Sequence, residues 1–129
     1  MSLTSLLVPT FTQMLRALSG WLAKAQAQMP GEAAEALLSA RLAPDMFPLS
    51  TQIRFACVQA HEASCRLRDM EFPESIDALL DEGRNGGERP GSMDDAQARI
   101  AETLALLEAL APDALDMAPA APITHALPN

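Results

Sequence analysis

Pro48-Leu-Ser-Thr-Gln-Ile-Arg-Phe-Ala-Cys-Val-Gln-Ala-His-Glu-Ala-Ser-Cys-Arg-Leu-Arg68 decides the fold class. Leu49, Ile53, Ala56, Ala60, Ala63 and Leu67 recur at intervals of 4, 3, 4, 3 and 4. That is the stripe of a helix with one buried face. The middle of the stripe is small, so a second helix can approach closely or a pocket can open there. Asp45, just upstream, is a candidate cap for this helix.

Working outward, the same rhythm recurs on both sides. Phe11, Leu15, Leu18, Leu22, Ala25 and Met29 make a second stripe, with Pro9 placed where a first helical turn tolerates proline. Pro30-Gly31 stops it. A short helix is predicted over Glu32 to Ala40, and Arg41 to Phe47 is a structured connection. Downstream, Ser75 is a candidate cap for a short helix over Ile76 to Glu82. The segment Gly83-Arg-Asn-Gly-Gly-Glu-Arg-Pro-Gly91 is a loop by composition. Ser92 and Asp95 have the spacing of a capping box. They open a helix carrying Ala96, Ile100, Thr103, Leu107 and Leu110, which ends before Pro112. Residues 1–112 therefore read as one helical bundle domain, and 113–129 as a Pro-rich irregular tail.

Composition agrees. The 129 residues include 24 Ala but only 12 Val, Ile and Thr together, a balance that favours helix over strand. Hydrophobic residues make up 49%, which argues against disorder. One domain of this size can bury about two thirds of its unfolded surface. A net charge of −8 argues against nucleic acid as a partner. No run reaches the ~18–20 apolar residues of a spanning helix, so no membrane role is expected. The first basic residue is Arg16, which does not fit a secretory signal, and a cytoplasmic location follows. Cys57 and Cys65, eight residues apart on one helix, have backbones about 12 Å apart. They cannot pair, which suits a reducing compartment.

Cys57, His61 and Cys65 form the one constellation with chemistry. Their i, i+4, i+8 spacing puts neighbours on one face, and His61 with Cys65 could share a Zn or Ni ion if other segments complete the set. All three cannot reach one tetrahedral centre. The structural reading is that both Cys are small apolar core residues and His61 is a polar edge residue. Gln52, Ala56 and Ala60 are the pocket candidates, with a solvated helix face as the alternative for Gln52. Met46-Phe47 and Met70 read as core or loop anchors, and Trp21 as a partly buried edge with a possible interface role. No catalytic residues stand out. There is no nucleophile motif, no paired carboxylates of constrained placement, and the Gly83–Gly91 loop follows no strand.

Arg41-Leu-Ala-Pro-Asp-Met-Phe-Pro-Leu-Ser-Thr-Gln52 resembles an uncharacterised bacterial family of domains of unknown function, grouped with the DinB/YfiT-like superfamily. Val8-Pro9-x-Phe11 and Arg99-Ile100-Ala-x-Thr103-Leu104 support it. The resemblance covers most of Met1 to Ala111. It implies an up-down-down-up four-helix bundle, commonly a homodimer. Related proteins bind a divalent metal through three His, and some are thiol-dependent transferases. His61 lies on the second helix of that pattern. The fourth helix, which would supply the other ligands, is missing from this chain, which reads as C-terminally truncated. Three function readings follow. The first is a self-associating DinB-like bundle without a complete catalytic site. The second is a divalent-metal-dependent transferase or hydrolase using His61. The third is a small-ligand-binding bundle, for which an apolar cavity beside Gln52 would be the sign.

Overall fold

A computed structural model describes residues 2–116. These are all-α, in three long helices and two shorter ones, with no strand among the described residues. Helix α1 spans Leu3–Gln28, α2 Glu32–Ala36, α3 Leu49–Leu67, α4 Glu74–Arg84 and α5 Met93–Glu108, with a 3-10 turn at Leu37–Ser39 after α2.

Helix α1 starts earlier than its proline suggests. Ser2 caps it: its Oγ accepts the Ser5 N–H at 3.1 Å, and the Ser5 Oγ accepts the Ser2 N–H at 3.0 Å. Pro9 therefore lies inside the helix rather than in its first turn. Its missing N–H leaves the Ser5 carbonyl without the usual partner four residues on. The other end of the described chain docks here too. The Asp116 carboxylate accepts the Thr4 N–H at 2.9 Å and the Thr4 hydroxyl at 3.1 Å, while the Leu115 N–H donates to Thr4 Oγ1 at 2.8 Å. Leu115 is buried. The first residues of the Pro-rich segment are thus fixed to the start of α1; residues 117–129 lie outside the described residues.

Helix α3 is the centre of the bundle. It packs against both α4 and α5, and α1 packs mainly against α5. A helix flanked on two sides buries a wider arc than one stripe. Ile53 and Ala60 are buried as the spacing predicts, but Ala56 is exposed, and Ser50, Thr51, Arg54, Cys57, Val58, Ser64 and Cys65 are buried as well. Two cap assignments change. Helix α3 begins behind Pro48 without a side-chain cap, and Asp45 sits exposed in the turn whose Met46 N–H meets the Ala43 carbonyl. Helix α4 begins behind Pro73, so Ser75 lies within its first turn. The extended backbone of each proline serves as the N-cap conformation. The Ser92–Asp95 capping box forms as read: Ser92 Oγ accepts the Asp95 N–H, and the Asp95 carboxylate accepts the Ser92 N–H, both at 3.0 Å.

The core joins Leu15 and Leu22 of α1, Leu38, Ile53 and Val58, and Met93, Ile100 and Leu107 of α5. Glu35 of α2 accepts the first N–H of α5, at Met93, at 2.8 Å. A carboxylate at a helix N-terminus satisfies an orphan donor and suits the dipole.

Candidate functional site

Two features of α3 could carry function, and they lie on different surfaces. The first is a polar layer among α3, α4 and α5. Arg54, in the second turn of α3, is almost wholly buried. Its Nε donates to Glu82 Oε1 at 2.7 Å, and its Nη1 to Ser50 Oγ at 3.2 Å; Ser50 in turn donates to the Pro90 carbonyl at 2.7 Å. Arg99 of α5 donates from Nε to both Glu82 oxygens at 3.1 Å and from Nη1 to Glu102 at 2.8 Å. Glu82 thus joins three helices.

The glycine-rich loop wraps this layer. A Cβ on Gly83 would come within 2.7 Å of the Phe55 ring, and one on Gly86 within 2.5 Å of Thr51 Oγ1, the hydroxyl that donates to the Gly83 carbonyl at 2.6 Å. Helix α4 thus runs two residues past the predicted Glu82 and takes in Gly83; Gly83 in the helix and Gly86 in the loop let this segment approach α3 closely, a packing role.

His61 lies beside this layer, in the wall of a cleft of about 240 Å³ shared with Ser75, Leu79, Glu82, Arg99 and Glu102. Its Nε2 is 3.0 Å from Thr103 Oγ1. The Thr103 hydroxyl already donates to the Arg99 carbonyl at 2.8 Å. Its oxygen must therefore accept, which puts the imidazole proton on Nε2. Partial burial holds His61 below the ordinary histidine range, against the opposing pull of Glu102. Cys57 is fully buried, and burial pushes its thiol up, opposed by the charge of Arg54. Such a thiol is a poor nucleophile. Cys65 is buried and reduced, its carbonyl accepting the Met70 N–H that closes the C-terminus of α3. Among the described residues, no three His, Cys, Asp or Glu side chains come together in a group able to hold a metal ion. The donors around His61 do not fit the divalent-metal site that the resemblance implies.

The second feature is an apolar groove of about 450 Å³ at the N-terminal end of α3. Gln52 lines it, with Arg41, Leu42, Met46, Phe47 and Leu49. The other two pocket candidates stand elsewhere: Ala60 is closed within the core and Ala56 is exposed. The groove's loop is braced. The Leu49 N–H donates to the Ala40 carbonyl at 2.9 Å, closing its neck, and Arg41 Nη1 donates across it to the Met46 carbonyl at 2.5 Å. Phe47 stands edge-on to Phe55 with ring centroids 5.4 Å apart. Met46 and Phe47 thus anchor the loop, yet both remain exposed, and Leu42 is 92% exposed. The sequence pattern predicts Met46 and Phe47 as anchors, and the structure adds their exposure. The signal in the sequence is three large apolar residues, Leu42, Met46 and Phe47, in the connection that ends at Pro48.

No helix of the described residues is long and apolar enough to cross a membrane. No curated protein and no solved structure matches the chain. The sequence profile described as "Domain of unknown function (DUF1993)" matches residues 3–129, from the first residue of α1 to the last of the chain. That match takes in the central helix, its polar layer and the groove alike, and the chain belongs to the DUF1993 family.

Proposed function

We propose that this domain is a self-associating helical bundle of the DinB/YfiT-like kind that works by binding rather than by catalysis. The observation that supports self-association is the outer face of α1. Leu6, Met14 and Trp21 are all exposed there, Trp21 at 61%. At 100° per residue they fall within about 80° of the helix circumference, an arc turned away from α5 that also holds Thr10 and Lys24. All 17 acidic residues of the chain lie outside α1, whose charged side chains are Arg16 and Lys24. Exposed apolar side chains on one helix face suit a two-fold contact in which the patch meets its own copy. The homodimer buries Trp21 against its own symmetry mate or the residues beside it.

Native mass spectrometry, with and without EDTA, tests this reading. The expected species is a dimer of the 13.8 kDa chain whose mass EDTA does not change. Trp21→Glu is expected to give a folded monomer. A monomeric wild type at every concentration would sink the reading, and a chelator-sensitive adduct would return His61 and Cys65 to a metal-dependent transferase or hydrolase.

A second reading, small-ligand binding, is supported by the groove. Its volume lies within the range of small-molecule sites, and its walls are apolar with few polar groups, as such sites are. Gln52 carries the amide that the sequence reading places beside a cavity. Amide chemical shifts during ligand titration test it, with Leu42, Met46, Phe47 and Gln52 the expected responders; shifts confined to other parts of the chain would count against it.

A further inference from the structure

The geometry points to the groove between Arg41 and Gln52 as a site for a small amphiphile with an apolar body and one anionic head, the head meeting the Arg41 guanidinium. This rests on the small-ligand reading above and adds the chemical class.

Four observations carry it. First, the groove is preformed. Its loop is closed at the neck by Leu49 and Ala40, braced by Arg41 on the Met46 carbonyl, and anchored by Phe47 on Phe55. A compact loop tied at its ends does not collapse to hide its apolar side chains, so Leu42, Met46 and Phe47 stay exposed at a standing cost. Second, the site is the size of a small molecule. Seven residues line it, against roughly 20–30 per side in a stable protein–protein interface. Third, its charge is open. Arg41 forms no ion pair among the described residues, although the chain carries nearly two acidic residues for each basic one. A guanidinium has five N–H donors, and one of those on Arg41 is committed to Met46. Fourth, no carboxylate lines the groove; the other polar side chain in its wall is Gln52, a neutral amide that can donate to the same head. An apolar wall beside a cation that has no ion pair among the described residues favours one carboxylate, sulfonate or phosphate monoester on a hydrocarbon or aromatic body.

The experiment compares octanoate with octan-1-ol, which share the apolar body and differ in the head. Each is titrated into the intact chain and followed by amide chemical shifts at Leu42, Met46, Phe47 and Gln52. Octanoate is expected to bind about two- to fivefold more tightly at low salt, the range open to an ion pair at an exposed arginine. The preference is expected to vanish near 1 M salt, where screening acts over about 3 Å. Arg41→Gln is expected to abolish the preference for octanoate over octanol. Should Arg41→Gln loosen the loop, the salt series on the wild type decides alone. Equal binding of the two compounds by the wild type would overturn the anionic class and leave the groove reading standing. Failure of both to shift these amides would overturn the class and the groove together.

Discussion

Glu82→Gln should be far more damaging than the loss of its buried partner. The Arg54 side chain is 2% exposed, and the Glu82 side chain 33%. Glutamine keeps the shape of Glu82 and one acceptor oxygen but removes its charge, which leaves the Arg54 cation inside the bundle hydrogen-bonded only to neutral groups, the amide oxygen and Ser50. Removing one member of a buried pair costs about 3–5 kcal/mol, because the other charge is stranded. Glu82 is one third exposed, so water softens the loss, and about 2–3 kcal/mol is the expected cost. Arg54→Met removes the charge that needs solvating. Glu82 then keeps Arg99 on both oxygens and its contact with solvent, and methionine fills much of the space. That variant should lose only about 1 kcal/mol. With roughly 3–5 °C per kcal/mol for a domain of this length, Glu82→Gln should lower Tm by about 6–15 °C and Arg54→Met by less than half of that. Far-UV circular dichroism through thermal and urea unfolding reads both, at one fixed protein concentration because self-association would shift Tm. If Arg54→Met proved the more destabilising, or Glu82→Gln cost under about 1 kcal/mol, the account of Arg54 as a buried charge sustained by Glu82 would be wrong.

Two further outcomes follow from the same layer. His61 has its folded-state pKa below its unfolded value, so the unfolded chain binds the proton more readily. Its contribution to stability should therefore be complete above the ordinary histidine pKa of about 6.5 and be lost as pH falls through the folded value; His61→Gln should flatten urea midpoints across that window, while a slope unchanged by the substitution would show that other groups set it. Gly86→Ala should destabilise by about 1–3 kcal/mol, since its Cβ would stand 2.5 Å from Thr51 Oγ1 and 3.1 Å from the Thr51 nitrogen. The entropy gained in replacing glycine, about 0.4–1 kcal/mol, is too small to offset that clash, and a neutral or stabilised variant in urea unfolding would show that the loop yields.

What the sequence made legible was local, and what it hid depended on neighbours. The Ser92–Asp95 box is legible because both partners lie within one turn. The stripe on α1 names Leu15 and Leu22 because that helix packs mainly against one neighbour, α5. Its start is harder to see: Pro9 is a stronger sequence signal than Ser2, whose box partner is a serine rather than the usual Glu or Gln. On α3 the single-stripe rule breaks down because α4 and α5 cover two sides. Arginine inside an amphipathic pattern reads as solvated, and the burial of Arg54 appears only when Glu82, 28 residues away, is brought against it. The groove hid for the opposite reason. Large apolar side chains in a connection look like anchors, and spacing alone does not tell that Leu42 is left outside.

The division between these regions bears on function. In the polar layer, Glu82 is held by two arginines, Arg99 also reaches Glu102, and Thr103 is shared by His61 and the Arg99 carbonyl. Groups tied this way fix helix geometry, and each is costly to move because its partners would be left unsatisfied. Two other places, the α1 stripe and the groove, carry the exposed apolar side chains Trp21 and Leu42, which contribute little to the core. Side chains exposed in this way can be replaced without opening the core. Substitutions should then separate into two groups. Trp21→Glu should alter association with little change in unfolding, whereas Glu82→Gln and Gly86→Ala should do the reverse. Crossover between the groups would mean that the polar layer itself takes part in binding.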